Sequence, residues 1–155
     1  MTVIAYKNGV MVCDGQLTTG SDAVVTNFQK IRKIDGVGLV GFAGGAVGVQ
    51  AAMDWLEDRA STWEEDIKSM GSDDVPLFSY DRQTILAVED GRIFFFDGSG
   101  YLELGPQEYM AIGSGGTLAI GAMAAGASAL DAVKAAIKHD TGCSGTPVLL
   151  ELNNG

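Results

Sequence analysis

Apolar residues in this chain come in runs of strand length, cut by polar turn pairs. Residues 3–13 read as a hairpin-like strand pair broken at Asn8-Gly9, residues that accept the positive φ angles of a two-residue turn. A second β region spans 24–34, and Asp35-Gly36 turns it into 37–43. Gly44-Gly45 then opens a helix whose apolar positions Val49, Met53, Leu56, Ala60 and Trp63 recur at helical spacing and form one buried stripe. The polar stretch 64–74 reads as a frayed helix end and surface loop. Strands resume at 84–89 and 92–96 around Asp90-Gly91, and at 101–104 and 109–112 after a turn at 97–100. Residues 117–125 are apolar all round and rich in Ala and Gly, which predicts a helix packed on both sides. Gly126 fits its end, and Ser128 fits the N-cap of a helix over 129–138 that buries Leu130, Val133 and Ile137. Residues 146–152 predict a closing strand.

The order is strands, helix, strands, two helices, strand. Segregated strands and helices favour an α+β fold over a parallel α/β one. Two antiparallel sheets face to face, with helices outside, would bury every apolar stripe. No repeat or linker divides the chain, so residues 1–155 are expected to form a single domain.

Composition narrows the function. Glycine is frequent at 22 residues against 3 prolines, but it is spread through turns and apolar runs, so disorder is not indicated. A net charge of −10 argues against nucleic acid or an anionic membrane surface as partner. The first residues lack a basic segment followed by a long apolar one, so no secretory signal is expected, and no apolar run reaches the ~20 residues of a membrane span. Cys13 and Cys143 have no metal-type spacing and His139 is the single histidine, so neither a metal nor another cofactor is expected. Reduced thiols and a cytoplasmic location fit this cysteine usage.

Several positions carry candidate chemistry. Thr2 follows Met1, and removal of the methionine would expose a hydroxyl beside a free α-amine. That amine, with a pKa of about 7.7–8, can serve as base to its own hydroxyl. Asp14, in Cys13-Asp14-Gly15-Gln16, reads equally as a turn former. Lys30 lies in the second β region, where the two-residue period puts Phe28, Lys30 and Arg32 on one face. On a cleft, its charge would favour the deprotonated form of a neighbouring nucleophile, and Asp14 would hold it. The run 41–45, Gly-Phe-Ala-Gly-Gly, reads either as a tight strand-to-helix turn or as a helix start offering free N–H groups to an oxyanion. The run 113–116, Gly-Ser-Gly-Gly, has a similar setting but lacks the lysine and spacing of a phosphate-binding loop. It is no nucleophile elbow either. Residues 140–145 read by themselves as a loop.

Together, the strings at Thr2, at 14–16 (Asp-Gly-Gln), at Lys30, at 41–45 and at 113–116 occur in one order and near-spacing. That arrangement resembles the proteasome β-type threonine peptidases, and among them the bacterial HslV-type peptidases. The resemblance covers nearly the whole chain and is weakest over 66–80. It implies the N-terminal-nucleophile hydrolase fold, a four-layer αββα sandwich. It puts the nucleophile on Thr2, the catalytic lysine on Lys30, the aspartate that holds it on Asp14, the oxyanion-hole glycine on Gly44, and a serine near the threonine amine on Ser114. A supporting Asp and Ser of the family fall on Asp140 and Cys143. Leu17, Phe28, Gly41 and Val49 fall around the pocket for the residue before the scissile bond, which suggests an apolar preference.

The implied activity is endopeptidase cleavage of peptides or unfolded protein inside a homo-oligomeric ring or ring stack, with an ATP-dependent unfoldase as a candidate partner. Val3 stands where many family members have a second threonine, and the region after the first long helix is shorter than in the family. With Met1 retained, Thr2 would carry an amide in place of its amine, and a non-catalytic shell protein or an unprocessed precursor is then the alternative. An amidase acting on a small molecule is a further one, and it would need a closed polar pocket.

Overall fold

The computed structural model describes residues 2–15, 17–19, 22–25 and 30–152. Met1 and Phe28, both singled out in the sequence, lie outside them. Chain order is β1 (Ile4–Lys7), β2 (Val10–Cys13), β3 (Leu17–Thr19), β4 (Asp22–Val25), β5 (Ile31–Ile34), β6 (Gly38–Gly44), α1 (Val49–Asp58), α2 (Trp63–Ser69), β7 (Arg82–Val88), β8 (Arg92–Asp97), β9 (Gly100–Pro106), β10 (Tyr109–Ile112), α3 (Gly116–Ala124), α4 (Ala129–His139) and β11 (Val148–Glu151). A short 3-10 turn, Ser72–Asp74, sits between α2 and β7.

Two antiparallel sheets carry the molecule. One has the order β10-β1-β2-β11 and the other β5-β6-β7-β8-β9, while β3 and β4 form a separate pair. The first hairpin forms as the turn chemistry predicts: Asn8 and Gly9 both take positive φ, 51° and 83°, and Ile4 pairs with Cys13.

Apolar side chains leave these sheets on both faces, which is why the strand sequences read as nearly unbroken apolar runs. Ile4, Tyr6 and Met11 meet Leu39, Ile85 and Ile93 between the sheets. Val3, Ala5 and Val12 point the other way, onto Ala119 and Met123 of α3 and Ala132, Val133 and Ala136 of α4. On the far side, Val40, Phe42, Leu86 and Phe94 pack on Met53 and Leu56 of α1 and on Trp63 and Ile67 of α2. Three stacked cores give four layers, helices–sheet–sheet–helices, the αββα arrangement expected.

The helices differ from the sequence reading in three respects, two of boundary and one of packing. The stripe from Val49 to Trp63 belongs to two helices, because α1 stops at Asp58 and α2 starts at Trp63. Residues 64–69, part of the stretch 64–74 expected as a frayed helix end and loop, belong to the regular helix α2 with Glu64, Glu65 and Asp66 at its positive N-terminal end. Trp63 anchors it edge-on against Phe94, with ring centroids 5.1 Å apart. Third, α3 is packed on one side only. Ala119 and Met123 are buried, but Leu118 and Ile120 remain 43% and 41% exposed. In α4 Val133 is buried as expected, while Leu130 and Ile137 are only half-buried.

Candidate active site

Burial singles out three polar residues at one edge of the inter-sheet core. Thr2, Asp14 and Lys30 are 3%, 0% and 5% exposed. Thr2 enters β1 and Asp14 leaves β2. The Asp14 N–H donates to the Val3 carbonyl at 3.2 Å and extends the hairpin ladder, which places the two side chains together. The Thr2 hydroxyl donates to Asp14 Oδ1 at 2.7 Å, and the same oxygen accepts from Lys30 Nζ at 2.8 Å and from the Val3 N–H at 3.1 Å. Lys30 Nζ also donates directly to Thr2 Oγ1. Asp14 Oδ2 accepts from the Ser144 N–H at 3.2 Å. This ion pair is buried, and its carboxylate has a hydrogen-bond partner on both oxygens, the condition under which such a pair is tolerated.

Lys30 reaches the cluster because it immediately precedes β5. Its carbonyl still accepts from Phe42 N–H at 2.9 Å, but the strand alternation begins at Ile31. Arg32, expected on the same face, instead lies exposed and pairs with Glu57 of α1 at 2.9 Å. The face shared by Lys30 and Arg32 is therefore corrected.

The Thr2 carbonyl is fixed by the turn after β10. It accepts from the Gly115 N–H at 3.1 Å and from the Ser114 hydroxyl at 3.4 Å. Gly113 has φ 91°, and a Cβ on it would collide with that carbonyl, so the turn tolerates no side chain there.

Thr2 opens into a cavity of about 590 Å³, with Ala43, Gly44, Gly113 and Ser114 on one side and Tyr80 to Gln83 and Asp97 to Ser99 on the other. Gly44 ends β6 opposite Arg82, with φ 116°. Because the Gly45 N–H donates to the Asp81 carbonyl at 2.8 Å, Gly44 and Arg82 are a non-hydrogen-bonded pair. The Gly44 N–H therefore turns away from β7, toward the side on which Phe42 meets Lys30. The helix does not begin here, as expected from the sequence, but at Val49 behind a left-handed Gly48 with φ 92°.

A buried threonine hydroxyl between a lysine and an aspartate, beside a backbone N–H in a cavity, is the equipment of a hydroxyl-nucleophile hydrolase. Comparison with known proteins gives it a family. The chain is 31% identical over 129 residues to the ATP-dependent protease subunit HslV of Pseudothermotoga lettingae, covering 77% of this chain and 73% of that one. It is 32% identical over 128 residues to the HslV subunit of Treponema denticola, covering 76% and 72%. The chain belongs to the HslV family. As a member it is a threonine-type peptidase. No family model matches the chain. Among solved structures, it resembles the eukaryotic HslV from Trypanosoma brucei with a TM-score of 0.69 at 21% identity, over 97% of this chain and 98% of that one. It also resembles Thiobacillus denitrificans BPH, TM-score 0.63 at 21% identity over 99% of each, so the fold is shared at this distance.

Against this HslV frame the remaining expected residues separate. Asp140 caps the end of α4, and its carboxylate accepts from the Gly142 N–H at 2.8 Å. Cys143 is buried next to Gly115, where a Cβ would lie 2.8 Å from its sulfur. Burial pushes the Cys143 thiol up to about 11, and the charges of Asp14 and Asp140 act in the same direction. Cys13 is likewise raised to about 11 by burial. Both are neutral thiols at pH 7, which removes them as competing nucleophiles.

Of the residues expected around the specificity pocket, Gly41 and Val49 are not among the described residues that line the Thr2 cavity. Gly41 faces the inter-sheet core, where a Cβ would lie 2.9 Å from Ile4 Cγ2. Val49 lines a second cavity of about 420 Å³ with Ile31, Arg32 and Met53. Leu17 belongs to β3, and Phe28 is outside the described residues. No local signal in the sequence marks Tyr80, Asp81, Arg82, Asp97 and Ser99, which reach the cavity because the start of β7 and the end of β8 converge there.

Among the described residues no three metal-ligating side chains gather, and no helix is long and apolar enough to cross a membrane.

Proposed function

We propose that this threonine-type peptidase cleaves polypeptide chains with Thr2 as nucleophile, once Met1 has been removed. The observation that carries the reading is the Thr2 hydroxyl, buried at the start of the described chain and hydrogen-bonded by both Lys30 and Asp14. The freed α-amine takes the hydroxyl proton as Oγ1 attacks the peptide carbonyl. Lys30 donates to Oγ1 and stabilises its developing negative charge, and Asp14 holds the ammonium in place. The Gly44 N–H donates to the tetrahedral oxyanion. The amine then returns its proton to the leaving nitrogen, and an ester remains on Thr2. Water, deprotonated by the same amine, hydrolyses that ester and regenerates the threonine. Ser114, Asp140 and Cys143 support the geometry of the terminus and of the 140–145 loop.

The related HslV subunits are named ATP-dependent, which supports a homo-oligomeric ring or ring stack in the cytoplasm fed by an ATP-driven unfoldase. The cavity is open to peptide-sized groups along the β7 and β8 ends, which favours an extended chain over a small closed-pocket amide.

The test combines two measurements. Intact mass of the purified chain is expected to be lighter than the full sequence by one methionine. A peptide vinyl sulfone is then expected to add to the processed wild type and not to Thr2→Ala. A processed wild type that takes up no probe and cleaves neither peptides nor unfolded protein removes the assignment.

A further inference from the structure

Arg82 is a buried charge that the mechanism above does not use. It is 6% exposed, and burial lowers its pKa from the ordinary arginine value. Its guanidinium is committed to backbone. Nη1 donates to the Val47 carbonyl at 2.9 Å and Nη2 to the Pro76 carbonyl at 2.7 Å, while the group lies 6.0 Å over the Phe42 ring. Nε is buried with no partner among the described residues. Gly48 fits against it closely, since a Cβ there would lie 3.2 Å from Nη1.

The connector it grips is Gly45-Ala46-Val47-Gly48, which joins β6 to α1 and follows Gly44 directly. With three glycines in the five residues from Gly44 to Gly48, this backbone has little intrinsic rigidity. Val47 offers no anchor of its own, being 94% exposed. A donor to an oxyanion works by being fixed before charge develops. What fixes this one is the entry to β7: the carbonyl of Asp81, just before the strand, accepts from the Gly45 N–H, and Arg82, its first residue, holds Val47 two residues further on. Two carbonyls accepting from one planar fork define an orientation that a flexible ammonium would not reproduce.

We propose that Arg82 is a positioning residue that clamps the 45–48 connector and so aims the Gly44 N–H at the oxyanion. The inference rests on the reading of Gly44 and Thr2 given above. It places the effect in the transition state, where the oxygen carries charge, and not in peptide binding.

The experiment uses the assembled full-length protein and three variants, Arg82→Lys, Arg82→Met and Gly48→Ala, with Thr2→Ala as reference. Hydrolysis of a fluorogenic peptide is expected to lose roughly ten- to a hundredfold in kcat in both Arg82 variants, with KM within about threefold, since removal of a single oxyanion donor costs about that or more. Gly48→Ala, which presses a methyl group on the clamp from the other side, is expected to lose kcat in the same sense. Two probes separate this from a scaffold role. A peptide boronate puts an oxygen in the oxyanion position, whereas a vinyl sulfone alkylates Thr2 without forming one. Boronate affinity is expected to fall with kcat, and the vinyl sulfone rate of the folded fraction to hold within about twofold. The clamp is overturned if the two probes fall in proportion, if KM rises while kcat holds, or if Arg82→Lys is as active as wild type. Should Arg82→Met fail to fold, Arg82→Lys and Gly48→Ala carry the same comparison. A wild type that reacts with neither probe overturns the peptidase reading itself, and the clamp with it.

Discussion

At the scale of residues, the site concentrates the molecule's electrostatic risk. Lys30 and Asp14 are both buried, so removing one charge strands the other in a medium that solvates it poorly. Asp14→Asn is therefore expected to destabilise the chain by roughly 3–5 kcal/mol and to abolish peptide cleavage. The double variant Asp14→Asn/Lys30→Met is expected to regain most of the stability in a denaturant titration and none of the activity. Recovery of both would show that the pair serves packing alone. The two buried thiols make a second prediction, on pH. In the unfolded chain they ionise near the ordinary 9.0, whereas in the folded chain they hold their protons to about 11. Between those values the folded state binds more protons than the unfolded, so their contribution to stability is lost as pH rises through this window. Unfolding free energy measured from pH 8 to 11 is expected to fall less steeply in Cys13→Ala/Cys143→Ala than in wild type. Equal slopes would contradict the raised values.

Elements decide how close the two sheets come, and Gly41 sets that distance in the middle of β6. A Cβ there would lie 2.9 Å from Ile4 Cγ2, 3.1 Å from Ile4 Cδ1, the atom that valine lacks, and 3.2 Å from Met11 Sδ, all in the opposite sheet. Gly41→Ala is expected to cost about 1–3 kcal/mol as an overpacked core, and Ile4→Val in the same chain to restore part of it, read as melting temperature. Additive losses would mean that the sheets do not meet there. On the opposite face, Arg92 of β8 ties α2 and β9 together through Glu64 and Glu103, the latter at 2.9 Å. These partners are part-exposed, so Arg92→Ala is expected to cost no more than about 1 kcal/mol, and less in high salt. What could be read from sequence follows the same division between local and non-local causes. Asn8-Gly9, Asp35-Gly36 and the Ser128 cap are settled by neighbouring residues, and all form as expected. The break between α1 and α2 was hidden because Trp63 continues the apolar spacing of Leu56 and Ala60, and no Gly or Pro marks residues 59–62. The exposed side of α3 was hidden because an all-apolar helix has no preferred face. Strand spacing raised Lys30 as a cleft residue beside Asp14, and the family resemblance tied it to Thr2. Its contact with Thr2 spans 28 positions and depends on how one sheet lies on the other.

For the whole molecule, charge and surface pull in opposite directions on assembly. Each chain carries a net −10, so copies brought together in the proposed ring would repel one another through solvent. Tyr80, Leu102, Leu118 and Ile120 remain substantially exposed, which leaves apolar surface whose burial would oppose that repulsion. Screening weakens the first term over a Debye length of about 10 Å at 0.1 M salt and leaves the second nearly unchanged. Sedimentation velocity at fixed micromolar protein is therefore expected to show more assembled material at 0.3 M sodium chloride than at 0.05 M. Activity per chain at low protein concentration should rise with it if assembly shapes the active state. Substrate capture is expected to move the other way, because the cavity that holds Thr2 also presents Asp81 and Asp97. For a peptide with basic residues, KM should rise with salt while the sedimentation profile shifts toward larger species, and a neutral peptide should show only the assembly effect. Assembly that weakens with salt would mean that the contacts between copies are themselves ionic, and the apolar surface would then be left without a part in them.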